Sequence, residues 1–135
     1  MRFALPLLVL ALVASGCAQL LANRSGEVTG TVTYLERIAL SPDAVVEVTL
    51  EDVSLQDMPA AVLDRQTIRP QGQQVPIPFR LRYDPLRLNT AHTYAVRARI
   101  TEDGQLRWIS DTHTPVITQG HPVRDVEVRV RQVSG

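Results

Sequence analysis

An all-β fold, a two-sheet antiparallel β-sandwich of about seven strands, is predicted by three features of the sequence. Runs rich in Val, Ile and Thr alternate apolar with polar residues, which is the pattern of a strand with one buried face. Pro-, Gly- and Asp-containing turns separate these runs at short intervals. No stretch sustains a helical period of useful length.

The first segment, residues 1–16, lies outside that fold. Arg2 supplies one positive charge, and Phe3 to Val13 is almost continuous hydrocarbon, interrupted by Pro6. From Phe3 to Gly16 the stretch has 14 residues, short of the roughly 20 that a membrane-spanning helix needs. A short apolar core ending in the small residues Ala14-Ser15-Gly16 is the pattern of a secretory signal peptide. Cys17 follows directly, and the junction resembles a bacterial lipobox with Ala14 where Leu is usual. That resemblance implies a diacylglyceryl group on the Cys17 thiol, cleavage before Cys17 and acylation of the freed amine. Several acyl chains give stable anchoring, at ~0.8 kcal/mol per buried CH₂. Ala18 stands where many inner-membrane lipoproteins carry Asp, which favours the periplasmic leaflet of the outer membrane.

Residues 17–26 read as the lipidated Cys and its tether, and residues 27–135 as one domain. Ala18 to Gly26 spans nine residues and reaches at most about 30 Å, so the domain stays near the bilayer. The 135-residue chain has 14 basic and 14 acidic side chains, no Lys, and 4% aromatics. That balance excludes a typical nucleic-acid binder, which carries a basic excess and stacking rings. A single Cys excludes a disulfide framework and a Cys-based zinc site within one chain.

Within the domain, Val28, Gly30, Val32 and Tyr34 alternate with threonines between Glu27 and Arg37. Ser41-Pro42-Asp43 is turn chemistry, followed by Ala44, Val46, Val48 and Leu50 against Glu47, Thr49 and Glu51. Val62 to Ile68 is open between strand and loop, because Pro59 and Asp64-Arg65-Gln66 break the pattern. Val75, Ile77, Phe79, Leu81 and Tyr83 form the clearest apolar face, opposite Arg80 and Arg82. Pro76 and Pro78 donate no ladder hydrogen bonds, so this strand belongs at an edge or beside a bulge. Tyr94, Val96, Ala98 and Ile100 alternate with Arg97 and Arg99. Glu102-Asp103-Gly104 is a hairpin turn into Leu106-Arg107-Trp108-Ile109, where both parities are partly apolar and the core face stays open. A last strand carries Val126, Val128 and Val130 against Glu127, Arg129 and Arg131.

These segments together resemble the YbaY/YscW lipoprotein family. The match runs through Gly30-Thr31-Val32-Thr33-Tyr34, Val48 to Ser54, Val75-Pro76-Ile77-Pro78-Phe79, Tyr83-Asp84-Pro85, Tyr94 to Ile100 and Ser110-Asp111-Thr112. The resemblance implies a small β-sandwich lipoprotein. Some members are type III secretion pilotins, which bind secretin subunits and escort them to the outer membrane. This sequence looks closer to the YbaY-like branch, whose members have no settled molecular role.

Little in the chain points to catalysis. His92, His113 and His121 all fall in expected loops without the close spacing of a preformed metal site, and no metal or cofactor is expected. There is no Gly-x-Ser-x-Gly elbow, and the lipobox resemblance implies that Cys17 is consumed by lipid. Asp103 and Asp111 flank the Trp108 strand and could form an acid/base pair, though turn and capping roles account for them as well. Arg80/Arg82, Arg97/Arg99 and Arg129/Arg131 are three Arg-x-Arg pairs on outward parity. Neighbouring pairs would make a partner-binding face for carboxylate or phosphate. The ordinary alternative is a solvated face, with Glu47, Glu51 and Glu127 as counterions.

The expected role is a non-catalytic, lipid-anchored binding or chaperone-like module at the periplasmic side of the outer membrane. Its partners are the membrane, through the anchor, and an envelope or secretion protein. An envelope-structure or stress factor binding anionic lipid, lipid A or peptidoglycan is the second reading, and a pilotin for a secretin the third.

Overall fold

Residues 25–134 are described by a computed structural model, so the expected signal peptide, Cys17 and most of the tether lie outside the described residues. The chain order is β1 (Gly26–Thr33), β2 (Val45–Asp52), β3 (Ala61–Ile68), β4 (Ile77–Tyr83), a 3-10 turn (Pro85–Arg87), β5 (Tyr94–Glu102), β6 (Gln105–Ile109), β7 (Thr114–Val116), β8 (Val126–Arg129) and β9 (Arg131–Gln132). The smaller sheet has the order β4-β1-β8. The larger has the order β3-β2-β5-β6-β9, with β7 also paired to β5. The β-sandwich expected from the sequence is therefore the fold.

Its core is the inward parity of each alternating run. Val28 and Val32 of β1, Val46, Val48 and Leu50 of β2, Ile77 and Leu81 of β4, and Val96 and Ile100 of β5 are all buried. Each such side chain contributes about 1.5–3 kcal/mol relative to exposure. Trp108 is 1% exposed and stacks on Tyr34, with ring centroids 3.9 Å apart. That contact resolves which face of β6 enters the core.

Three features depart from or complete the sequence expectation. First, β1 pairs antiparallel with β4 but parallel with β8, because the last long run returns beside the first in the same direction. Second, that run is two strands, not one. β8 lies in the smaller sheet and β9 in the larger, and the Val130 N–H donates to the Thr33 carbonyl at 2.9 Å just before the switch. The valine alternation is unbroken because Val126, Val128 and Val130 are all buried. Third, the ambiguous segment is strand β3, and it faces β4 across the seam between the sheets. The Arg80 N–H donates to Gln66 Oε1 and the Arg82 N–H to Asp64 Oδ2, both at 2.7 Å. Side chains of β3 thus satisfy the outer edge of β4, where Pro78 lacks an N–H. This closes an edge that would otherwise be free to pair.

The β5–β6 hairpin turns on Asp103 and Gly104, with φ of 52° and 74°. Two left-handed residues are the requirement of a type I′ turn, which fits the twist of the strands it joins.

Candidate interaction surfaces

The three Arg-x-Arg pairs are not brought together. Arg80 and Arg82 lie on β4 and Arg129 on β8, either side of β1; Arg97 and Arg99 lie on β5, and Arg131 on β9. No two of these strands are neighbours, so the six guanidiniums are divided between the sheets. Most of them already have carboxylates. Glu27 lies 3.8 Å from Arg80 and 3.9 Å from Arg82, Glu127 lies 2.9 Å from Arg129, and Asp111 lies 3.1 Å from Arg131. Exposed pairs of this kind contribute about 0–1 kcal/mol each.

The larger sheet is different. On its outer face Glu47, Thr49, Glu51, Arg65, Arg97 and Arg99 line a cleft of about 220 Å³. Glu51 is only 13% exposed, and Arg97 Nη1 stands 3.8 Å from its Oε2. That oxygen is buried and accepts no hydrogen bond among the described residues. Arg65 is held by Glu47 at 3.9 Å, whereas Arg99 has no carboxylate within ion-pair distance among the described residues. An orphaned acceptor beside an uncompensated cation is unusual on a native surface. It can receive a partner segment that brings both a donor and a carboxylate.

A second surface was not anticipated. At the end where β1 begins and β2 finishes, five large apolar side chains stay in water. Leu55 and Met58, in the β2–β3 connection, are each 63% exposed, and Leu86 in the 3-10 turn is 81% exposed. Val62 and Leu63 join them because the register between β2 and β3 shifts here. Leu50 pairs with Asp64 but Glu51 with Val62, leaving Leu63 unopposed. A cleft of about 370 Å³ opens between Val62, Leu63, Tyr83, Asp84, Arg87 and Tyr94. The signal in the sequence was there: large apolar residues inside turn segments that carry Asp and Pro.

Beneath this rim the polar groups are satisfied. Asp84 caps the 3-10 turn by accepting the Leu86 N–H at 3.0 Å, with Pro85 at the first position. Asp52 accepts the Ser54 N–H at 3.0 Å and meets His92 Nδ1 at 2.7 Å. Burial pushes the Asp52 carboxyl up, but the Ser54 amide, the His92 ring and the Ser54 hydroxyl outweigh it and hold it below the usual range. The Thr93 N–H donates to Ser54 Oγ at 2.7 Å, and Thr118 Oγ1 donates to the His92 carbonyl at 2.6 Å.

The remaining polar candidates are dispersed. His92 sits on Asp52, His113 is exposed between β6 and β7, and His121 is half-buried between β7 and β8. Among the described residues no three His, Cys, Asp or Glu side chains are placed to hold a metal. Asp103 and Asp111 take separate partners. Asp111 pairs with Arg131, while the Asp103 N–H donates to Asp43 Oδ2 at 3.2 Å. Hydrogen bonding to Asp43 and its charge raise the Asp103 carboxyl, whereas bonds from Asp103 and Ser41 lower Asp43.

Comparison with known proteins places this architecture. The family described as type III secretion system lipoprotein chaperone (YscW) matches residues 23–130. The chain is 40% identical over 105 residues to the uncharacterized lipoprotein YbaY of Escherichia coli (strain K12), covering 78% of this chain and 55% of YbaY. It thus spans about half the length of that curated relative. Among solved structures, an alternative pilotin from the type II secretion system of Vibrio cholerae superposes with a TM-score of 0.78 at 46% identity. That match covers 82% of this chain and 99% of the pilotin. The family match spans the chain from just before β1 to just past the end of β8, and the chain belongs to the YscW family of type III secretion system lipoprotein chaperones.

Proposed function

We propose that this chain is a pilotin-type chaperone, held by lipid on Cys17 to the periplasmic leaflet of the outer membrane, that binds a secretion protein such as a secretin subunit. The observation that carries the reading is the likeness to the Vibrio cholerae pilotin over 99% of that protein's length. It moves the pilotin role from third place in the sequence reading to first. The anchor rests on Ala14-Ser15-Gly16-Cys17, and the outer membrane on Ala18 in place of Asp. The partner docks on the outer face of the larger sheet, where Glu51 Oε2 accepts no hydrogen bond and Arg99 has no carboxylate within ion-pair distance among the described residues. The reading as a receptor for anionic lipid, lipid A or peptidoglycan loses ground, because Arg80, Arg82, Arg97, Arg129 and Arg131 each have a carboxylate within 4 Å, Glu27 serving both Arg80 and Arg82.

Crosslinking in cells, followed by mass spectrometry of the recovered complexes, tests this. The native chain recovers an envelope secretion protein from the outer-membrane fraction, and Cys17→Ser leaves that partner behind. Arg99→Gln lowers recovery several-fold at an unchanged melting temperature. Undiminished recovery by that variant removes the docking face, and recovery of no secretion protein removes the pilotin role.

A further inference from the structure

We infer that the apolar end of the sandwich, at Leu55, Met58, Val62, Leu63 and Leu86, is seated in the surface of the bilayer to which the chain is tied. The inference rests on the Cys17 anchor proposed above and adds an orientation and a lipid-contacting surface to it.

The tether leaves the domain at this end. Gly26, the first residue of β1, pairs with Tyr83, and the Tyr83 ring lies where a Gly26 side chain would be. Tyr83 in turn lines the cleft with Val62 and Leu63. Gly26 is nine Cα–Cα steps from Cys17, at most about 30 Å of chain. β1 itself carries the chain about 26 Å to the opposite end. A tether laid back along the body would be nearly used up before it reached a membrane there. The short leash therefore brings the near end down first.

That end is built for an apolar medium. Its most exposed side chains, Leu86, Leu55 and Met58, stand on connections rather than on a sheet face. The polar groups below them are already bonded through Asp84, Asp52 and Ser54. Such tips enter the interface with the amides of Ser54, Leu86 and Thr93 already bonded beneath them. At the cleft Asp84 and Arg87 pair with each other at 3.6 Å, so the contact does not depend on anionic lipid.

The test uses the full lipidated chain, purified from membranes and returned to phosphatidylethanolamine/phosphatidylglycerol vesicles. Single variants Leu86→Cys and Met58→Cys, with Leu35→Cys at the opposite end, receive a polarity-sensitive dye on the new thiol. A lipidated Cys17 takes no dye, so labelling of the unsubstituted chain reports failure of the anchor, and the orientation falls with it. With the anchor intact, the dye at positions 86 and 58 shifts to the blue and is quenched by brominated lipid, while the dye at 35 stays water-like. Adding Leu55→Ser to Leu86→Cys reduces the shift. Vesicle-bound protein whose dye at 86 and 58 is as wet as at 35 overturns the orientation. So does a dye that becomes dry only when a partner protein is added to the vesicles.

Discussion

The two ends of the sandwich are finished differently. At the end away from the tether, Tyr34 and Trp108 stack within 11° of parallel and fill the gap between the sheets. The Tyr34 hydroxyl donates to the Ile38 carbonyl, and the Leu40 N–H donates to Gln74 Oε1 at 2.7 Å. Burial, together with Glu102 and Glu36, raises the Tyr34 phenol, which keeps it a donor. At the tether end Asp52, Ser54 and Asp84 accept the amides of Ser54, Thr93 and Leu86, yet large apolar side chains point outward. The contrast is one of degree in apolar exposure. The far end leaves Leu35 and Ile38 in water, at 72% and 47%, beside its buried aromatic stack, whereas the tether end leaves five such side chains out around one cleft. Incomplete burial on a rigid frame marks a contact surface rather than a loose one.

Substitutions can break or sharpen this comparison. Trp108→Ala has the largest effect, a loss of about 3–5 kcal/mol in urea unfolding, because it empties the plugged end. Asp52→Ala costs about 1–3 kcal/mol, since the Ser54 amide and His92 lose a charged acceptor. Its pH dependence has a definite sign. The Asp52 carboxyl is lowered in the folded state, so its contribution is present above the ordinary carboxylate value, about 3.9. It is lost as pH falls through the lower folded value. Stability of the native chain and of Asp52→Asn, measured from pH 7 to pH 2, should therefore converge at the acid limit.

Asp103→Asn gives a small rise in melting temperature. It removes the charge facing Asp43 and installs the Asn-Gly pair that type I′ turns favour. Because Asp103 is raised, it holds its proton at low pH and repels Asp43 only when ionised, so the gain is larger at pH 7 than at pH 4. Leu86→Ser has the smallest effect, within about 0.5 kcal/mol in solution. A loss as large as that at Trp108 would mean that the tether end is core, and the contrast would fail.

Much of this architecture is legible in the sequence. β1, β2, β4 and β5 follow their alternation because each buries one parity, and Pro76 with Pro78 correctly puts β4 at an edge. β3 resists reading for a physical reason. Its half-buried parity carries Asp64 and Gln66, which serve the backbone of β4, and its register shift turns both Val62 and Leu63 outward. β6 is ambiguous because Leu106 and Ile109 are both half-buried around Trp108. The division of the last run between sheets leaves no mark on a pattern of valines that face inward throughout. β7, at three residues, is too short to show a period. For the surfaces, residue type alone located the arginines but not their neighbours, which depend on strand order.

The parallel pairing of β1 with β8 bears on how the molecule carries load. A cargo gripping the body while the N-terminus is moored pulls β1 lengthwise between β4 and β8. Ladder hydrogen bonds run across the strands, so such tension shears both rows at once instead of unzipping them one by one. Under the proposed lipid anchor, the mooring line would be spliced into the middle of a sheet, and a tug that would peel an outer strand would be shared by two.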